Sequence, residues 1–340
     1  MEYRDFGRTG VRVSRLALGA MMFGSWGASY DDSAKIARRA FDAGINFVDT
    51  ADMYSQGESE EFVGRILAEA GNRDEIVLAT KFHNQMGEGL NRSGNSRRWI
   101  VQEVENSLRR LRTDRIDLYQ VHRPDPATDI DETLGALTDL VRAGKILYIG
   151  TSTFPAHEIV EAQWTAERRG RERFVGEQPP YSILARGIET DVLPTVRKYG
   201  MGVLTWSPLA GGWLTGRYRK GAVPESRRAQ VMPERYDMSI EGNRQKLDAA
   251  DALAQVADEA GLSLVEMALA WNVTHPAVTS AIIGPRTLDH LEGQLTAADL
   301  TLGADVLDRI DAIVPPGTTL NDADGGWRPP ALADAALRRR

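Results

Sequence analysis

Four side chains in the first half of the chain have types that could share acid–base chemistry: Asp49, Tyr54, Lys81 and His122. Asp49 closes the apolar run Ile45, Phe47 and Val48, which follows a helix-stopping Gly44 and reads as a short buried strand, so an acid and a phenol sit just past a strand's C-terminal end. Lys81 follows the run Ile76 to Ala79, and His122 follows Ile116 to Val121. Singly, each has a plain structural reading: Asp49 capping a turn, Tyr54 packing, Lys81 lying along the surface, His122 satisfied near Arg123 and Asp125. Together they suit hydride reduction of a carbonyl, whose oxygen gains negative charge and needs a proton donor and dipoles around it. Tyr54 can be the donor, but a phenol of pKa about 10 needs a cation beside it. Lys81 supplies that cation, Asp49 holds it charged and aimed, and a ring N–H of His122 orients the carbonyl. In reverse, Tyr54 takes the proton and His122 helps relay it.

The stretch from Gly44 to Tyr54 resembles the aldo-keto reductase signature, and the four residues match that family's Asp, Tyr, Lys and His tetrad one by one. The resemblance runs from the opening hairpin to beyond Gly284, and lies with the bacterial-type, long-insert members related to potassium-channel β subunits. With no cysteine and no metal-ligand spacing among the five histidines, electrons must come from an organic cofactor, and no metal is expected. The resemblance implies NADPH, with NADH left open. By the same resemblance Gly19 borders the cofactor, Ser152 and Gln178 bond the nicotinamide amide, and Tyr181 stacks on the ring. Ser207, Pro208, Leu209, Gly211, Leu214 and Arg217 would embrace the pyrophosphate, while Gly284, Arg286, His290 and Gln294 hold the adenosine end. Thr153 stands where the family has Asn, and the family's Gln, Glu and Asn match His290, Gly293 and Gln294, so one adenine contact is missing. Arg286 enters a helix N-terminus after a strand, where an anion is favoured and a guanidinium can clamp a 2′-phosphate. Trp26, Tyr30, Phe82 and Trp327 are expected to line an aromatic mouth. Sugar aldehydes, ketosugars, simple aldehydes and xenobiotic ketones all remain open as substrates.

The elements that must position these groups alternate. Tyr3 to Val13 reads as a β-hairpin. Eight apolar runs follow, at Leu16–Gly19, Ile45–Val48, Ile76–Ala79, Ile116–Val121, Ile146–Ile149, Phe174–Gly176, Gly202–Thr205 and Thr279–Ile283, separated by helix-period patterns. Asp31, Asp32 and Ser33 are expected to cap the first helix, and Ser96 and Thr287 open later ones. A long segment from Ser207 to Gly242 lacks a core-facing stripe, an extra helix spans about Ala304 to Ile313, and an irregular tail follows Pro315. Eight strands alternating with helices over roughly 300 residues predict a single-domain α/β protein, residues 1–340, folded as a (β/α)8 TIM barrel with functional residues at the C-terminal strand ends. A doubly wound sheet competes, but no Gly-x-Gly-x-x-Gly and no Gly-x-x-x-x-Gly-Lys-[Ser/Thr] occurs.

Composition narrows the classes. At 340 residues, 42% hydrophobic and net charge −7, the chain has no basic footprint, so nucleic acid and anionic membrane are not expected partners. The Arg168–Arg173 and Arg338–Arg340 clusters read as solvated faces or tails. No signal segment and no membrane-length apolar run is present, so a cytoplasmic location and a small-molecule carbonyl partner are expected; a homo-oligomer is compatible with the sequence. Two competing readings stand beside the reductase. One is a nicotinamide-binding regulatory or interaction subunit; the other, a lyase using Lys81 as a Schiff base, conflicts with a lysine held charged by Asp49.

Overall fold

The computed structural model describes residues 1–221 and 227–337; the Arg338–Arg340 run lies outside them. Two short strands, β1 (Tyr3–Asp5) and β2 (Arg12–Ser14), pair antiparallel as the opening hairpin. Eight parallel strands then close a barrel: β3 (Leu16–Gly19), β4 (Phe47–Asp49), β5 (Val77–Phe82), β6 (Ile116–Val121), β7 (Ile146–Ser152), β8 (Gly176–Gln178), β9 (Gly202–Thr205) and β10 (Ser280–Ile283), with β10 pairing both β9 and β3. Outside them run α1 (Tyr30–Asp42), α2 (Glu58–Ala70), α3 (Arg97–Leu111), α4 (Ile130–Arg142), α5 (Ala156–Arg169), α6 (Val192–Tyr199), α7 (Arg227–Val231), α8 (Glu241–Glu259), α9 (Leu264–Thr274), α10 (Leu288–Leu295) and α11 (Ala304–Ile313). This is the expected (β/α)8 barrel. No helix among the described residues is long and apolar enough to cross a membrane.

The hairpin closes the N-terminal end of the barrel. Phe6 packs edge-on against Phe47, with ring centres 5.6 Å apart, and joins Val13, Ala17, Ala79, Leu118 and Leu204 in a small apolar plug. A Cβ on Gly176 or Gly202 would lie 2.6 Å from the Phe6 ring, so two glycines on adjacent strands make its seat. A cavity of about 120 Å³ at this end is lined by Phe6, Val11, Phe47 and Leu118, far from the candidate catalytic groups. The opposite end carries the polar side chains.

Several boundaries differ from the sequence reading, each for a local reason. Helix α1 is capped by Ser29, whose side chain accepts from the Asp32 N–H, and Asp31 and Asp32 occupy its first turn, where acids favour the helix dipole. Strands β5 and β7 run on through Lys81 and Ser152, polar residues that the barrel interior absorbs. Strand β8 sits at Gly176–Gln178, because Phe174 packs near Phe154 outside the sheet while Gln178 has partners inside. The long segment after β9 does have a core. Trp213 is fully buried, stacked on Tyr218 at 4.2 Å and on Tyr236 at 5.8 Å, with the Lys246 ammonium 4.8 Å from its ring centre. Positions 213, 218 and 236 follow no helix or strand period, which is why no stripe was visible. Beyond α11 the tail is pinned rather than loose. Asn321 donates to Glu234 O at 3.0 Å and Asn243 Oδ1 at 2.7 Å, Asp324 pairs with Lys246 at 2.8 Å, and a Cβ on Gly326 would lie 2.6 Å from Trp206.

Candidate active site

The C-terminal strand ends bring the four residues together. Asp49 ends β4, Lys81 lies inside β5, His122 follows β6, and Tyr54 opens a tight turn at Tyr54–Gly57. Backbone strain concentrates at the same face: Ser55 (φ 49), Gln56 (φ 55), His83 (φ 139), Thr153 (φ 62), Ser207 (φ 56) and Ala210 (φ 49) all have left-handed conformations just past a strand. Each costs energy that the surrounding fold must hold, a pattern typical of ligand-facing loops.

Lys81 Nζ donates to Asp49 Oδ1 at 2.6 Å and to Thr50 O at 2.8 Å, and lies 3.4 Å from the Tyr54 hydroxyl. Burial works against the lysine's charge, but Asp49 and Tyr54 outweigh it and raise its pKa. For Tyr54 burial is the largest influence and raises the phenol, with Lys81 pulling the other way. The net is a tyrosine that keeps its proton at neutral pH beside a permanent cation. His122 is held neutral, its pKa pushed well below the ordinary value by burial and then by Lys81 and Arg123. Its Nδ1 faces Asn84 Nδ2 at 3.0 Å; with the amide donating, the ring proton sits on Nε2. The imidazole meets the Tyr54 ring edge-on at 5.9 Å. Asn84 was not singled out in the sequence, where its only signal is a polar side chain soon after a strand.

Beneath the tetrad, two glutamines complete the layer. Gln178 Nε2 donates to Asp49 Oδ2 at 2.8 Å and Gln120 Nε2 reaches the same oxygen at 3.3 Å. Gln178 Oε1 has no partner among the described residues, which leaves it an acceptor for an amide. Ser152 pairs in register with Gln178 across β7 and β8, and its hydroxyl donates to Gln178 O at 2.9 Å. Gly19 stands opposite Asp49 in the β3–β4 pairing.

Tyr181 is corrected. It is buried, its hydroxyl donates to Glu189 at 2.6 Å and its ring packs 4.9 Å from Trp271, so it has no free face for a ligand. A half-buried aromatic close by is Trp206, immediately after β9, whose buried Nε1 has no hydrogen-bond partner among the described residues. Its signal in the sequence was a tryptophan directly after the run Gly202–Thr205. Phe82 is also corrected: it neighbours inward-pointing Lys81, so strand alternation turns it outward, fully buried 4.8 Å from Tyr119. Tyr30 packs edge-on against Phe62 between α1 and α2 with Arg65 over its ring, away from the mouth. Trp26 lies 6.2 Å from the Tyr54 ring, and Trp327 follows the tail residue that lies against Trp206.

At the far end Arg217, Arg228 and Arg286 converge. Burial first, then the charges of Arg228 and Arg217, lowers the Arg286 pKa, and among the described residues none of the three pairs with a carboxylate. Three cations with no carboxylate partner among the described residues can attract an anion. Arg228 was not foreseen; its Nη1 donates to Gly211 O at 3.1 Å, beside Gly211 (φ 68) and Gly212 (φ 111) in the turn that holds Ser207, Pro208 and Leu209. Leu214 is fully buried, which leaves only its backbone for a ligand. Thr287 caps α10 by accepting from His290 N at 3.2 Å, directly after Gly284 and Arg286, and Gln294 keeps a buried Oε1 without a partner among the described residues.

Glu177 is the buried acid behind the wall. It accepts from Thr151 Oγ1 and from Phe154 N at 3.1 Å, yet burial pushes its pKa up from 4.5 to about 7. The folded protein therefore holds this proton more tightly than the unfolded chain, so the stability it contributes is complete below pH 4.5 and is lost as pH rises through about 7. Glu177→Gln, which keeps the shape without the charge, should gain stability relative to wild type by about 3 kcal/mol between those limits, read by urea unfolding at several pH values. A constant difference across pH would assign the pKa elsewhere.

Residues 15–315 match the Aldo/keto reductase family. The chain is 40% identical to the uncharacterized oxidoreductase YrpG of Bacillus subtilis, over 98% of this chain and 100% of that one. It is also 36% identical to probable voltage-gated potassium channel subunits beta from Arabidopsis thaliana and from Oryza sativa, in each case over 92% of this chain and 97% of the other.

Proposed function

We propose, for a chain that belongs to the aldo/keto reductase family, that it reduces an aldehyde or ketone to the alcohol at the expense of NADPH, with Tyr54 donating the proton. The observation that carries this reading is the line from Asp49 through Lys81 to the Tyr54 hydroxyl, with a neutral His122 beside it. The nicotinamide, when bound, supplies the hydride. Trp206 offers it an aromatic platform, and Ser152 with the open Oε1 of Gln178 suits its carboxamide. Arg217, Arg228 and Arg286 suit its phosphates. In reduction, Tyr54 passes its proton to the carbonyl oxygen while Lys81 stabilises the phenolate that forms, and His122 Nε2–H holds the same oxygen. The reading describes one barrel domain acting on a small molecule in the cytoplasm. Purified protein should oxidise NADPH when given 4-nitrobenzaldehyde, and EDTA should not matter. No oxidation with any activated aldehyde would sink the reading.

The phosphate assignment has its own test. Arg286→Ala removes a charge-assisted contact that only a 2′-phosphate can use, so NADPH should bind roughly tenfold to hundredfold more weakly. NADH should change little, and the loss should shrink in high salt. Fluorescence titration of both cofactors decides it; an equal loss for both would place Arg286 in the fold or against the shared adenosine.

A second reading, a nicotinamide-binding regulatory subunit, is favoured by the similarity to channel β subunits. It expects tight cofactor binding with slow turnover of every carbonyl tried.

A further inference from the structure

Beside the tetrad lies a cation that the chemistry above does not use. Arg123 directly follows His122, and its Nη1 donates to His122 O at 2.6 Å and to Thr153 Oγ1 at 3.2 Å. Its guanidinium carbon stands 5.9 Å from the centre of the Trp206 ring, and its charge is felt by the Tyr54 phenol. Nε and Nη2 have no partner among the described residues. Of the other cations nearby, Lys81 pairs with Asp49, while Arg235 and Lys246 share Asp324. Arg123 has no such partner among the described residues. Glu177, whose field does reach it, makes no ion pair with it, because the carboxyl oxygens are turned to Thr151 and Phe154.

A guanidinium half-withdrawn from water with no counter-ion is unfavourable, and burial lowers the Arg123 pKa accordingly. The fold fixes one edge of the group with two neutral acceptors and leaves the rest of the fork open. Neither end of the cofactor calls for it, since the carboxamide of nicotinamide is neutral and the phosphates have Arg217, Arg228 and Arg286.

We propose that Arg123 anchors a carboxylate on the substrate, so that the preferred carbonyl compounds are aldehydes or ketones bearing a carboxylate within reach of the carbonyl. This rests on the reductase reading of the same site. A carboxylate matches the open guanidinium edge in a bidentate pair, and the Trp206 and Trp26 faces suit the carbon skeleton between the two ends. Arg123 then acts as a specificity-determining residue; the proton still comes from Tyr54.

The test is a matched pair, 4-carboxybenzaldehyde and its methyl ester, turned over at saturating NADPH by wild type, Arg123→Met and Arg123→Lys. Wild type should prefer the acid to the ester by roughly tenfold or more in kcat/KM, chiefly through KM, and the preference should fall as salt is added. Arg123→Met should cut the acid-to-ester ratio by roughly tenfold to a hundredfold, and Arg123→Lys should restore part of it. The wild-type ratio needs no variant to fold. A wild type that treats the two alike, or an Arg123→Met ratio equal to wild type, overturns the inference while leaving the reductase intact. Failure of both compounds, and of 4-nitrobenzaldehyde, to oxidise NADPH overturns the reductase reading and this inference with it.

Discussion

Tyr54→Phe should lower turnover by roughly 10²- to 10⁴-fold while NADPH binds as before. The substitution keeps the ring, and with it the edge-on contact to His122 at 5.9 Å and the Trp26 contact at 6.2 Å. Only the hydroxyl goes, 3.4 Å from Lys81 Nζ. The pH profile supplies a second reading of the same role. With Tyr54 as the proposed donor, reduction needs the phenol protonated, so activity should be present below the Tyr54 pKa and lost as pH rises through it. That pKa is raised above 10.0 and the His122 pKa is lowered well below 6.5, so wild-type turnover should be flat between those values. Tyr54→Phe should lose the alkaline fall. If the variant kept more than about a tenth of wild-type turnover with chemistry rate-limiting, another group must donate the proton.

The barrel and the tetrad were legible because both rest on local rules. An apolar run of four residues ended by a charged one says where a buried strand stops, and in a closed barrel every such stop lies at one face. Asp49, Lys81 and His122 could thus be placed side by side before any distance was known. What escaped depended on rotation about a strand or on contacts distant in sequence. Phe82 and Lys81 are neighbours in sequence but face opposite sides of β5, and a one-residue uncertainty in strand register exchanges their roles. Tyr181 looks available beside Gln178 until Glu189 and Trp271 are seen to take its hydroxyl and its ring. Gln120 and Gln178 hold Asp49 from strands 71 and 129 residues away, a separation that no local pattern encodes. Arg228 and the Trp213 cluster lie in a segment with no period at all.

Lys81→Met should lower turnover about as steeply as loss of the tyrosine, and for a separable reason it should also destabilise the fold. Catalytically, the phenol would keep its burial but lose the cation that stabilises the phenolate, and the remaining Asp49 charge would push it still higher. Structurally, Asp49 is 2% exposed and Lys81 fully buried, so removing one partner leaves a sealed carboxylate with only the Gln178 and Gln120 amides, at a cost of about 3 to 5 kcal/mol. Removing both charges is a different experiment. In the double variant Asp49→Asn with Lys81→Met no buried ion remains unpaired, so most of the lost stability should return. Turnover should not return with it, because Tyr54 still lacks its cation. Urea unfolding and steady-state rates on the two single variants and the double one separate these effects. Recovery of both stability and turnover in the double variant would mean that Lys81 only balances Asp49 in the barrel wall, and the acidity of Tyr54 would need another source.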